Sequence, residues 1–460
     1  MKQLLKHFIR GGRVCTRFSA TGCITVRSVT NRLTGGRLLT AALMTSAFIT
    51  LLSVPTLQGQ TINEKVHLPH IKTVQMHKKG EPLSAPIIPL NSGEKVTLRF
   101  DDLEGGSKTY SYQLIHCNAN WQPSDLFANN YISGQLEGEI YNYESSFNTL
   151  ISYTHYRLNI PNETMRPSRS GNYILHVYKN YNKSDTVLTR RFRVSENRIR
   201  INADIDRINR MSREKPNQEL NITLQTRNMQ ISDPFRNLTL SILKNYHHER
   251  ILKNLSPSSI SGNKLSFQMN KALAFKGGNE FHHFNSKNTD YAGRNIQKIN
   301  FARNNFHFQL SKNEDRTFQS YQIKKDLNGR FRVDRDNADD PHTEADYVYV
   351  YFSLKGLRYE PEGSYYVAGD FNNWRFNEKN RLRYDRESGE YQKRLFLKQG
   401  YYDYKYVYMS SGGAMDPYRI SGNHEQTEND YLVCVYYRDY KEGYDRLLGH
   451  TLINSSTIDY

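Results

Sequence analysis

The sequence predicts an all-β protein built of consecutive immunoglobulin-like antiparallel β-sandwich domains. Three observations carry that reading. Tyr and Phe are abundant, at 33 and 21 residues, and flat rings pack well on a pleated, half-buried surface. Apolar and polar residues alternate over short runs, as at Val96, Leu98 and Phe100, the period of a strand with one buried face. Clusters of Asn, Ser, Pro and Gly separate those runs, and no heptad pattern is sustained. At 460 residues the chain is too long for one core, so about three domains are expected.

The N-terminus reads as an export signal spanning residues 1–59. Residues 1–37 hold eight Lys or Arg and no Asp or Glu, and an apolar run at 38–54 leads to small and polar residues near Gly59. That run is short for a spanning helix and is diluted by Thr and Ser. Without this segment the net charge falls from +17 to +9. An exported chain with so modest an excess and no nucleic-acid motif points away from nucleic acid. Its expected counterparts are acidic protein surfaces or anionic lipid headgroups.

The first sandwich is expected at 60–197, with an extended lead-in from Thr61 to about Pro89. Val96 to Phe100 and Tyr110 to Leu114 flank a turn at 101–106 and read as a hairpin. Tyr173, Leu175 and Val177 mark another strand, and Phe192 and Val194 lie on the strand leading out. A second sandwich is expected at 198–335, on the alternation at Leu220, Ile222, Leu224 and at Leu238, Leu240, Ile242, with a loop-like stretch at 276–298. The charged segment 334–346 reads as a linker. A third sandwich is expected at 336–437. Its run from Tyr347 to Phe352 is apolar on both faces, as a central strand is. Residues 438–460 read as a polar tail that Leu447 and Leu448 can dock.

Chemistry is sparse. His247-His248 and His282-His283 are neighbours on strands and so point to opposite faces. Neither pair has a partner at zinc-module spacing. His116 beside Cys117 fares no better as a ligand, and His155 reads as a hydrogen-bonded strand residue. Cys117 and Cys434 read as small buried hydrophobes rather than a disulfide. There is no Gly-x-Ser-x-Gly elbow and no phosphate-cradling glycine loop. No enzyme, metal, cofactor or small-molecule substrate is expected.

Gly369-Asp370-Phe371-Asn372-Asn373-Trp374, followed by Tyr404-Lys405-Tyr406, resembles the glycogen-type carbohydrate-binding modules and early-set domains of starch-processing proteins. The resemblance implies sugar contacts for Trp374 and Lys405, with Asn429 at the family's asparagine position. The second platform tryptophan is missing, because only Trp121 and Trp374 are present. This is the basis of an alternative reading as a glycan-binding accessory protein.

A second resemblance covers 66–197. Leu-Ile-His-Cys-x-Ala-x-Trp-x-Pro-Ser (114–124), Ser-Phe-Asn-Thr (146–149), Tyr-Thr-His-Tyr (153–156) and Ser-Gly-Asn-Tyr (170–173) resemble, in order, the first domain of type IX secretion system plug proteins. That resemblance implies a non-enzymatic periplasmic protein at the inner face of the outer membrane. Its implied partner is the giant β-barrel translocon, whose periplasmic opening it closes. Trp121, Asp125, Tyr141, Tyr143, Phe147 and Asn148 are the expected rim contacts.

Overall fold

A computed structural model describes residues 61–206, 217–226, 229 and 231–456. The expected signal peptide lies outside the described residues. The fold is all-β, built of antiparallel sheets packed in pairs. No helix among the described residues is long and apolar enough to cross a membrane.

The first sandwich pairs two sheets. One runs Lys65–Val66, Thr186–Ser195, Gly171–Lys179, Tyr110–Cys117 and Glu137–Glu139, with Ile87–Pro89 parallel to Thr186–Ser195. The other runs Ile71–Lys78, Val96–Asp102, Thr154–Ile160 and Tyr143–Ser145. Alternation builds the core. Val96, Leu98 and Phe100 of one sheet share it with Tyr110, Tyr112 and Leu114 of the other. Phe100 stacks on Tyr156 with centroids 5.0 Å apart, and Tyr110 stands edge-on to both rings. Such ring pairs add about 0.5–1.5 kcal/mol each beyond their area.

Two local expectations differ here. Val96–Asp102 and Tyr110–Cys117 belong to opposite sheets, so the turn between them crosses the core and makes no hairpin. Alternation tells a strand which face is buried but not which strand lies beside it. The lead-in is also no mere extended arm, since it supplies Lys65–Val66, Ile71–Lys78 and Ile87–Pro89.

The middle sandwich has one sheet of Arg200–Asp206, Asn217–Gln225, Lys264–Phe267 and Ser259–Ser261, with Ala274–Lys276 also on Asn217–Gln225. Its second sheet runs His248–Lys253, Leu238–Lys244, Asp430–Asp439 and Tyr444–Asn454. The last two strands come from the chain's C-terminal end, against the expected boundary at 437. The stretch 438–460 is therefore not a polar tail within its described part. Tyr444–Asn454 is an eleven-residue strand with Leu447 and Leu448 fully buried. Asp430–Asp439 is apolar on both faces because both are covered. Tyr431, Val433 and Val435 enter the middle core, while Leu432, Cys434 and Tyr436 pack with Ala85, Ile87 and Ala119 of the first sandwich.

The third sandwich reaches back across the expected boundary at 335. His282–Asn285 and Phe331–Val333 pair with Gly400–Ser410, and Ile296–Ala302 and Asn305–Leu310 extend the sheet of Tyr347–Lys355 and Glu390–Lys398. The stretch 276–298 thus contains strand where a loop was expected. The segment 334–346 is no free linker. It forms a short helix, Pro341–Glu344, capped by the Asp340 side chain. Tyr153 of the first sandwich donates to the Ala345 carbonyl at 2.9 Å.

Candidate functional site

Both sheets of the first sandwich end on the same stretch of chain. Glu137–Glu139 closes one sheet and Tyr143–Ser145 closes the other. Around these edge strands Tyr141 is 76% exposed, Phe147 71% and Tyr143 43%. Asn148 and Asp125 are exposed as well. Tyr181, which sequence reading missed, is exposed and donates to Glu139. The same carboxylate raises the Tyr141 hydroxyl's pKa. Phe127 and Leu136 are two further exposed apolar residues that sequence reading passed over. They lie in turn-like sequence, where nothing local distinguishes a presented ring from a buried one.

The loop that carries Phe147 is held from beneath. The Phe147 amide donates to the Thr343 carbonyl at 2.9 Å. Arg335 donates to the Asn148 carbonyl at 3.2 Å, and the Leu150 amide donates to Asp346 at 2.6 Å. Asn148 takes a φ of 51°, a region Asn tolerates better than most residues. An exposed ring on a backbone fixed by another sandwich loses little entropy when it meets a partner.

Trp121 is placed elsewhere, and a rim contact is not open to it. It is 2% exposed and its Nε1 donates to Glu249 of the middle sandwich at 2.8 Å. The Arg191 and Arg193 guanidinium groups lie 4.5 and 4.8 Å from its ring centroid. Arg193 donates in turn to Glu249 and to the Tyr436 hydroxyl. The motif tryptophan therefore belongs to the joint between two sandwiches. An indole in a polar loop looks exposed until the neighbour that supplies its acceptor is known.

A second joint ties the first sandwich to the third. Asp101 accepts from Lys398 Nζ, the Tyr347 hydroxyl and His155 Nδ1, each at 2.7 Å. Burial alone raises a carboxyl pKa, but Lys398 and the His155 bond outweigh it and hold Asp101 at about 2.

These features stand in the segment that the comparisons pick out. Residues 71–196 match the family described as Type 9 secretion system plug protein 1st domain. This segment is a type IX secretion system plug protein first domain. It is also similar to the crystal structure of a hypothetical protein from Parabacteroides merdae ATCC 43184. That likeness has 31% identity and a TM-score of 0.82, and covers 86% of this chain and 100% of the other. No curated protein matches. A plug first domain points to a role related to type IX secretion and to an envelope-associated location, and the plug family is not one of enzymes.

His116 and the two cysteines are tied into the packing. His116 sits between the Ser124 hydroxyl at 2.8 Å and the Ser170 carbonyl at 3.0 Å, and burial lowers its pKa to about 4. Cys117 and Cys434 are free and buried, their thiols pushed up to about 12 and about 11. Among the described residues the one group with metal-ligand spacing is His70, Asp102 and Glu104. Lys108 Nζ already lies 2.7 and 2.6 Å from those two carboxylates. The surroundings offer a ligand set no vacant charge to satisfy.

Trp374, Lys405 and Asn429 do come together, lining a cleft of about 1090 Å³ between the middle and third sandwiches. His247 stacks on Trp374 with ring centroids 3.6 Å apart, which covers one face of the indole. Lys405 Nζ lies 5.8 Å from the same ring and 4.1 Å from Phe281.

Proposed function

We propose that this protein closes the periplasmic opening of the type IX outer-membrane barrel, and that it does so without catalysis. The observation that carries this reading is the edge of the first sandwich, where Tyr141 and Tyr143 are exposed beside Phe147, whose loop is braced by the third sandwich. A seal that must detach needs a stiff body, aromatic anchors of low entropy cost and polar surroundings that stay soluble when released. Asp125 and Asn148 supply polar contacts beside those anchors in this proposal.

The test is affinity purification from solubilised outer membranes with the Tyr141→Ala/Phe147→Ala variant. Loss of the barrel from the purified material, with an unchanged circular dichroism spectrum, supports the proposal. Undiminished recovery of the barrel removes this edge as the contact.

A glycan site at Trp374 and Lys405 is a second reading, favoured by their convergence with Asn429 in one cleft. A pyranose has only the indole face opposite His247 to stack on. Retention on insoluble polysaccharide that disappears with Trp374→Ala supports that reading. No retention of the wild type removes it.

A further inference from the structure

A different cleft, of about 700 Å³, lies between the first sandwich and the third. Lys65, Lys72, Arg375, Lys379, Arg394 and Lys398 line it, and no Asp or Glu is among its described lining residues. Among the described residues only Lys398 of these six has a carboxylate partner, Asp101. Arg375 donates to a backbone carbonyl, that of Glu64. The cations also feel one another. Burial and then the Lys379 charge lower the Lys72 pKa. Burial, then Lys65 and Arg375, lower that of His67, another lining residue.

The bland reading is a solvated seam between packed bodies, where lysines serve solubility. With 46 acidic residues against 63 basic ones in the chain, such a seam is expected to mix signs. This one does not.

A second, independent observation is the backbone. The strand Ile71–Lys78 slips register between Lys72 and Gln75, with Thr73 at a φ of 49°. A β-branched residue at positive φ is strained, and bulges re-aim side chains. Thr73 lines the cleft between Lys72 and Val74, with its hydroxyl hydrogen-bonded to that of Tyr347. On the opposite wall Asn373 and Trp374 take φ of 52° and 54° just before Arg375. Thr73 on one wall and Trp374 on the other thus hold bulky side chains on strained backbone.

We infer that this cleft binds a phosphate-bearing ligand, its phosphoryl oxygens taken by Lys72, Lys379 and Arg375 and its body laid against Phe371 and Phe396. Converging ammonium and guanidinium groups suit a multiply charged oxyanion better than a single carboxylate. The two half-buried rings give an apolar or sugar body a surface. Such a group can come from a phospholipid headgroup at a membrane surface or from a soluble sugar phosphate.

The experiment uses the full chain with pyrophosphate and glucose 1-phosphate in calorimetric titration. In parallel it uses co-sedimentation with phosphatidylcholine vesicles with and without phosphatidic acid. Lys72→Gln/Lys379→Gln is compared with wild type and with Lys264→Gln/Lys298→Gln, which removes equal charge elsewhere. We expect the cleft variant to lose at least about tenfold in affinity while the control binds as wild type. Its unliganded melting temperature should hold or rise, because two mutually repelling charges are gone. Capture on phosphatidic acid vesicles that needs Lys72 and Lys379 assigns the lipid source. Binding of the soluble phosphates alone assigns the other. Equal binding by cleft and control variants, or binding of none of the probes, overturns the proposal.

Discussion

Lys398 Nζ lies 2.7 Å from Asp101 Oδ2, and neither side chain has any exposure to solvent. The two residues are 297 positions apart and join the first sandwich to the third. A lysine and an aspartate in dry surroundings are stable only together, since either alone is a buried uncompensated charge.

Lys398→Met should therefore cost about 3–5 kcal/mol, read as a lowered urea midpoint. Lys398→Met/Asp101→Leu should recover much of the loss, because no charge is left stranded. A single variant as stable as wild type contradicts the pairing. For the same reason, deleting the first sandwich is a poor test of partner binding, since it strands Lys398.

The Asp101 carboxyl is depressed to about 2 in the folded protein, so its contribution is present above the ordinary carboxylate range. It is lost as pH falls from about 4 toward about 2. Asp403 behaves in the opposite sense. Burial and the nearby Asp326 charge raise its pKa, so the folded form holds a proton that the unfolded chain has released. That contribution is present at low pH and is lost as pH rises through the neutral range. Asp403→Asn keeps an acceptor for the Leu327 and Gly329 amides. It should flatten the fall in urea midpoint between about pH 5.5 and about pH 8.5. An unchanged slope counts against the assignment.

Trp121→Ala should destabilise by about 3–5 kcal/mol, as large aromatic deletions from a packed joint do. Phe147→Ala should stay within about 0.5 kcal/mol of wild type, because the ring is exposed. Measured side by side by urea unfolding, the two separate a structural aromatic from a presented one. A mild Trp121→Ala would show that the joint does not depend on the indole.

Ending the chain at Tyr440 removes Tyr444–Asn454, a strand that pairs along the full length of Asp430–Asp439. The shortened protein should be insoluble or unfolded. Soluble, protease-resistant material would show the strand to be dispensable.

How much of this was legible in advance follows from what a single strand can express. Period-two alternation at Val96, Leu98 and Phe100 told which side is buried, and the ordered motifs of 114–173 pointed to the plug family. Exposure of the aromatic rings was not readable, since Tyr141 and Phe147 are exposed and Trp121 is buried although all three stand in polar, turn-rich sequence. Lateral neighbours were not readable. Tyr431 to Tyr437 is an apolar run, yet nothing in it says that its partners are Leu238–Lys244 and Tyr444–Asn454.

By itself the sequence determined the all-β class, the buried faces and the family of the first domain. Those are local properties of residue type and period. Tertiary structure alone decided that Trp121 is a joint residue, that the C-terminal stretch closes the middle sandwich, and that unpaired cations from two sandwiches share one cleft. Each depends on charges and hydrogen-bond partners more than a hundred positions away. Their energy is set by burial and distance in space, and the order of residues along the chain carries no record of either.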